Sequence, residues 1–276
     1  TVETQKAIEE ANADYIIAAG SGLAPIQMLL AQETGAKSIV IMNPPFPYSM
    51  THYDLAIVPA HDGGTVPSRT LRCVVMPSGY KVLDRGTDVK ALQEKLGEGV
   101  RPKIAVFLGG ATRGFDLTVS DMEKLCSALK RTRACAGDYM ITTSRRTTGP
   151  VERFLKNTLA GDPACRFLVI ANEENPSYAA SGMMGIADLL IVTEDSLAMI
   201  SEAVGTGKRV IVLSLGEGEL PEKHYRFHQI LAKRGLVTLS SLADLEKNIN
   251  ELFKKPATPV LQREKDALIE RLGALI

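Results

Sequence analysis

The sequence predicts an α/β fold built from two Rossmann-like parallel-sheet domains in series. Three observations predict it. Short apolar runs rich in β-branched residues recur along the chain, which is the pattern of strands buried on both faces of a parallel sheet. In the second half each run alternates with a helix-length segment, the signature of βα units joined by right-handed crossovers. The alternation is broken once, by a charged stretch closed by Arg101-Pro102.

In order, "DYIIAAG" (14–20), "KSIVIMN" (37–43), "DLAIVPA" (54–60) and "LRCVVMP" (71–77) are the first four strands. A clear helix, Ala24 to Thr34, separates only the first two. "KVLDRGTDVKALQEKLGEGVRP" (81–102) is polar and reads as a linker. The pattern restarts with "KIAVFLGG" (103–110), a helix opened by Thr118 to Asp121, "DYMITTS" (138–144), a helix after Gly149-Pro150, and "RFLVIA" (166–171). A short helix near Tyr178, "DLLIVTE" (188–194), a helix after Asp195, "RVIVLSL" (209–215), a helix from Pro221 and "LVTLS" (236–240) complete it. The domains expected are 1–100 and 101–258, meeting near 98–103, with 259–276 returning to the first domain as a helix. The chain opens on Thr1-Val2-Glu3 without a methionine, so the N-terminal domain is expected to be incomplete.

Composition narrows the partners. The 276 residues carry 32 basic and 32 acidic side chains, so no basic excess points to nucleic acid. The longest apolar runs are strand-sized, far below the roughly 20 residues of a membrane span, and no secretory signal opens the chain. A cytoplasmic protein is expected, with peripheral membrane contact left open. Cys73, Cys126, Cys135 and Cys165 show no CxxC spacing and read as free thiols.

In an open parallel sheet, ligands sit beyond the carboxyl ends of the strands. In the second half those loops hold Gly109-Gly110, then Thr143-Ser144-Arg145-Arg146, then Asn175, then Thr193, Asp195 and Ser196. Glycines let backbone N–H groups approach an anion, hydroxyls donate hydrogen bonds, and arginines grip phosphate in a fork. The helix after Asp195 adds open N–H groups and a positive dipole end. Glu202 lies seven residues on, close to two turns, so it shares a face with that end. A carboxylate there accepts both hydroxyls of a ribose. Each feature also has a plain structural reading: a glycine turn, an Asp/Ser N-cap, solvated arginines, and a surface glutamate beside Lys208.

The segments "TTSRRT", "ENP.Y" and "DSLAMISEAVGTGK", followed by "RFH" at 226–228, together resemble the mitochondrial fission ELM-like family, which is similar to GT-B nucleotide-sugar enzymes; the resemblance runs from about Asp14 to Arg234. It implies a GT-B-like fold of two domains facing across a cleft and a nucleotide-diphosphate sugar as donor substrate, with an unknown acceptor. It implies no cofactor and no metal, since the helix dipole and basic side chains neutralise the departing diphosphate. It gives Glu202 the ribose, Ser196 and its neighbours the diphosphate, and Ser144 to Arg146 a phosphate contact.

A base for the acceptor hydroxyl is sought at His61, with Asp62 orienting it, after the third strand; a histidine capping a turn is the alternative. His224 and His228 share a helix face at a spacing that permits a metal, but no third ligand is near in sequence. A glycosyltransferase is the function expected first. A GT-B-shaped epimerase and a non-catalytic scaffold related to organelle-division factors remain alternatives, because fold does not fix function.

Overall fold

The computed structural model describes residues 6, 13–20, 22–75, 85–254, 269–270 and 272–273, with residues 85, 135 and 136 described by backbone alone. The chain divides into two compact units, the first made of residues 1–76 with 264–276 and the second of residues 77–263.

The first unit holds a four-stranded parallel sheet in the order β1 (Tyr15–Ala19), β2 (Lys37–Ile41), β3 (Leu55–Pro59), β4 (Thr70–Cys73). Helix α1 (Ala24–Thr34) carries proline in its first turn, where the missing N–H costs nothing, and stops at Gly35 in the left-handed region. Buried Gln27 ties α1 to the sheet by donating to the carbonyls of Ile16 and Ile39, each at 2.7 Å. Ile39, Leu55, Ile57, Leu71 and Cys73 pack on one face with Leu272 from the C-terminal segment, while Val40, Ala56 and Val58 pack on the other with Ala24 and Tyr53. β3 is buried at every position, as a central parallel strand should be. β1 departs from that expectation: Tyr15 and Ile17 are exposed because it is an edge strand.

The second unit holds β5 (Ile104–Phe107), β7 (Tyr139–Thr142), β8 (Cys165–Val169), β9 (Leu189–Thr193), β10 (Arg209–Ser214) and β12 (Thr238–Ser241) in one parallel sheet, ordered β12-β10-β9-β5-β7-β8. The two-residue strands β6 (Phe115–Asp116) and β11 (Glu217–Gly218) pair antiparallel beside it. Its helices are α2 (Arg85–Leu96), α3 (Val119–Ala136), α4 (Gly149–Leu159), α5 (Ser177–Ile186), α6 (Leu197–Gly205), α7 (Glu222–Lys233) and α8 (Leu245–Lys254). Thr118 and Asp121 form a reciprocal capping box that starts α3. The core runs through Ile104, Val106, Leu125, Leu129, Ile141, Leu155, Leu189, Ile191, Ile211 and Leu213. Each such side chain contributes roughly 1.5–3 kcal/mol by leaving water.

The chain builds outward from β5 to β7 and β8, then returns to lay β9 on the other flank of β5 and continues to β10 and β12. That reversal makes the carboxyl ends of β5 and β9 a topological switch point, where neighbouring loops diverge and leave a crevice.

One element overturns the sequence reading. Residues 85–96, expected within a linker, form α2, which packs closely on α5. Ser181 donates to the Asp88 carboxylate, Leu92 is fully buried, and a Cβ on Gly185 would collide with Val89 Cγ2. The polar composition of the stretch conceals a narrow apolar stripe, and glycines some ninety residues away form the groove that receives it.

Cys73 and Cys126 are buried thiols and Cys165 is partly buried. Burial pushes Cys126 up to about 11 and Cys165 up to about 12, which keeps both as inert thiols at neutral pH. Cys135 lies outside the described side chains.

Candidate functional site

The sequence-selected loops of the second unit converge at the switch point. Gly109 and Gly110 follow β5, and on the adjacent strand Thr193 ends β9 with Asp195 two residues beyond it. The Asp195 side chain is fully buried. One of its oxygens accepts from Gly110 N–H at 3.0 Å and from the Arg146 guanidinium at 2.8 Å; the other accepts from the Thr193 hydroxyl at 2.6 Å. The same Thr193 oxygen accepts from Gly109 N–H at 2.8 Å. Such a desolvated carboxylate is tolerable only because charged and neutral donors surround it.

This geometry gives the glycine pair a different purpose from the one expected. The N–H groups of Gly109 and Gly110 bind the chain's own Thr193 and Asp195. A Cβ on Gly109 would collide with the Asp195 carboxylate, and one on Gly110 with the backbone of Arg146. The close approach that requires glycine is to the protein itself.

The loop after β7 closes over that pair. Ser144 and Thr147 both donate to the Gly109 carbonyl, at 2.8 and 2.5 Å, and Thr147 Oγ1 accepts from Ser144 N–H at 3.0 Å. Buried Thr143 accepts from Ala171 N–H at 2.9 Å, which ties β7 to the segment after β8. The two arginines separate. Arg146 is committed to Asp195 and to the carbonyls of Gly110 and Ala111. Arg145 is exposed and has no side-chain partner among the described residues. Asn175 is exposed as well, whereas Asn172 bonds Thr147 O at 3.3 Å and Glu152 at 2.8 Å.

Helix α6 begins at this edge. Ser196 caps it by accepting from Met199 N–H at 3.4 Å, a long bond. The N–H groups of Leu197 and Ala198 have no partner among the described residues, as a first turn leaves them. Glu202 lies further along α6, partly buried, and burial alone raises its carboxyl above the usual carboxylate range. It has no hydrogen-bond or ion-pair partner among the described residues. Lys208 does not neutralise it: that ammonium donates to the carbonyls of Gly185 and Ala187 at the end of α5.

Helix α7 approaches from the other side. Burial, then Lys223, lowers the affinity of the buried His224 for a proton, and hydrogen bonds to the backbone of Asp195 and Pro221 oppose that. His224 and His228 lie with ring centroids 6.4 Å apart, edge to face. Among the described residues no cluster of three metal-ligating side chains occurs.

His61 belongs to the first unit, in a short 3-10 turn after β3, where it is buried with 6% of its surface exposed. Its Nε2 lies 3.7 Å from Asp62 Oδ1, and Asp62 also accepts from Asn43 at 2.8 Å.

Two residues of the strand-end loops were given no role of their own from the sequence. Thr147 braces the glycine loop, and its place in "TTSRRT" was the available signal. Glu194 is half-buried, with its carboxyl raised by burial and by Asp195 and opposed by hydrogen bonds from Ser214 and the Leu215 backbone. Its place directly after β9 and beside Asp195 was the available signal.

The sequence matches the family described as mitochondrial fission ELM1 over residues 2–261. It is 29% identical over 137 residues to the mitochondrial fission protein ELM1 of Arabidopsis thaliana, a match covering 50% of this chain and 31% of that protein. The chain thus spans about a third of the curated relative.

Among solved structures, UDP-GlcNAc 2-epimerase from Methanocaldococcus jannaschii aligns with a TM-score of 0.60 at 13% identity, over 93% of this chain and 75% of that one. The Neisseria meningitidis UDP-GlcNAc 2-epimerase bound to UDP-GlcNAc aligns at 0.57 and 12%, over 98% and 79%. A Glycyrrhiza uralensis protein complexed with glycyrrhetinic acid 3-O-monoglucuronide aligns at 0.53 and 10%, over 99% and 76%. At such identities the likeness is one of fold, and the fold is GT-B-like.

Proposed function

This chain belongs to the mitochondrial fission ELM1 family, and on that premise we propose that it is a glycosyltransferase of GT-B type whose second unit holds a nucleotide-diphosphate sugar. Glu202 carries the reading. A surface glutamate finds water or a lysine, whereas this one is partly buried, raised by desolvation and without a partner among the described residues. Two adjacent hydroxyls of a ribose satisfy such a group, each donating to a charged acceptor.

The diphosphate falls at the start of α6, where the N–H groups of Leu197 and Ala198, the helix dipole and Arg145 are available to it. Ser196 shapes that turn. Gly109, Gly110, Thr143, Thr193, Asp195 and Arg146 hold the loops in place rather than touching the ligand. With these groups neutralising the leaving diphosphate, the reaction proceeds without a metal or cofactor. His61, in the first unit, is the general base of this reading, with Asp62 Oδ1 3.7 Å from its Nε2 and the acceptor itself unassigned. A cytoplasmic site of action goes with this reading, and peripheral membrane contact is left open by it.

A second reading is favoured by the Asp195–Arg146 pair. The internal Asp195 carboxylate already occupies the Gly110 N–H and the Arg146 guanidinium, which suits a non-catalytic binding or scaffold protein.

Incubation with UDP-glucose and with UDP-N-acetylglucosamine, followed for UDP release to water, separates these readings. Binding with slow UDP release supports the transferase. Binding without release supports the second reading, and inversion at a sugar carbon without release assigns an epimerase. Absence of binding to UDP-, GDP- and ADP-sugars alike overturns the transferase, the nucleotide-binding and the epimerase readings.

A further inference from the structure

A separate cavity of about 270 Å³ opens beyond the carboxyl ends of β9, β10 and β12, under α7. It is about nine times the ~30 Å³ that a water occupies in the liquid and smaller than the ~300–1,000 Å³ of drug-sized sites. One small ring fits there, and a nucleoside diphosphate does not.

Its floor is apolar, made by Val212 and Leu239, and its walls are polar. Glu194 presents a half-buried carboxyl oriented by the Ser214 hydroxyl at 2.7 Å. His228, 4% exposed, contributes an imidazole to the lining, and Gln229 an amide with both donors and acceptor. Tyr225, 46% exposed, stands at the rim with an aromatic face.

Among the described residues no lysine or arginine lines the cavity, so an anion there meets the Glu194 carboxylate. A nucleobase stacks on a desolvated aromatic face, whereas among the described lining residues Tyr225 is 46% exposed and His228 4% exposed. What suits an apolar floor, one aromatic wall and a ring of mixed donors and acceptors is a flat-sided ring with hydroxyls around its edge. We infer that this cavity binds a neutral, hydroxyl-rich ring of monosaccharide size, its hydroxyls held by Glu194, His228 and Gln229.

The site is distinct from the proposed nucleotide contacts. Adjacent residues serve different ends: Asp195 turns to Gly110 and Arg146, Glu194 to Ser214. The ring arrives either as a free sugar or carried on a nucleoside diphosphate, and the two sources separate in one experiment.

Saturation-transfer NMR and calorimetry on the full chain, with glucose, mannose and N-acetylglucosamine in one arm and UDP and UDP-N-acetylglucosamine in the other, test it. The expected result is saturation of sugar ring protons, with affinity at least fivefold lower in Glu194→Gln and at least twofold lower in Gln229→Ala, while UDP binds both variants as it binds the wild type. Saturation of free hexoses assigns a free sugar; saturation of the ring only in UDP-N-acetylglucosamine assigns a donor-borne one. Gln229 is exposed, so its variant decides the matter should Glu194→Gln fail to fold. No saturation of any sugar ring, or sugar affinity unchanged in the folded variants, overturns the inference. Loss of UDP binding alone strikes the nucleotide reading and leaves this site standing.

Discussion

Arg146 donates to the Asp195 carboxylate at 2.8 Å, joining a guanidinium with 40% of its side-chain surface exposed to a carboxylate with none. The pair holds the loops after β5, β7 and β9 in register, because the same carboxylate also takes the Gly110 N–H.

Removing the partly exposed member strands a buried charge. Breaking buried pairs costs about 3–5 kcal/mol, and with Arg146 reachable by water the lower end is expected. Arg146→Ala is therefore predicted to lower stability by about 3 kcal/mol in urea denaturation. A change within about 0.5 kcal/mol, the range of ordinary surface substitutions, contradicts this placement of the pair.

Arg145 gives the opposite pattern. It is exposed and without a partner among the described residues. Arg145→Ala should leave stability within about 0.5 kcal/mol and weaken a nucleoside diphosphate about tenfold, the loss of roughly one charge-assisted hydrogen bond. Affinity for the nucleoside alone should not move. Parallel titrations of uridine and UDP read the difference, and equal weakening of both would show that Arg145 is not a phosphate contact.

The raised carboxyl of Glu202 makes a stability prediction with a definite sign. Its folded-state value lies above its unfolded value, so the folded protein binds more protons through that window. The associated stability is present below the ordinary carboxyl range and lost as pH rises through the raised value. Glu202→Gln should therefore melt higher than wild type near pH 7, and the gap should close as pH falls below about 4. Glu194 shifts in the same direction, and comparison of one variant with wild type isolates Glu202. Melting temperatures across pH 3.5–8 that run parallel would contradict the assignment.

His61 is 6% exposed in the first unit, so burial sets the first effect of its removal. His61→Ala should cost roughly 1–3 kcal/mol through the void it leaves. If the imidazole is also the acceptor-side base, turnover falls in the folded variant while donor affinity stays constant. Unchanged turnover per folded molecule removes it from the chemistry.

Much of the site was legible, though its internal division of labour was not. Alternating apolar runs place the second sheet and its loops, because buried parallel strands leave few other sequence patterns. The glycine pair signals a close approach, yet only the folded chain shows that Asp195 and Arg146 are what approaches. Adjacent arginines look alike in sequence; the turn from Ser144 to Thr147 sends one inward and leaves the other outside. Helix α2 was hidden because its stripe is little more than Val89 and Leu92, and its partners Gly182 and Gly185 are remote in sequence. Glu194 precedes α6 and Glu202 lies well inside it, and burial, which sequence does not encode locally, is what distinguishes both from surface acids.

The central claim is that Glu202 holds a ribose, and calorimetric titration of UDP into wild type and Glu202→Ala tests it most directly. Two hydroxyls donating to a charged acceptor contribute roughly 1.5–3 kcal/mol each, so at least a tenfold weaker dissociation constant is expected in Glu202→Ala, with Glu202→Asp in between. Equal affinity in wild type and Glu202→Ala would contradict the account and leave the capping of α6 as the sufficient purpose of the segment from Asp195 to Lys208.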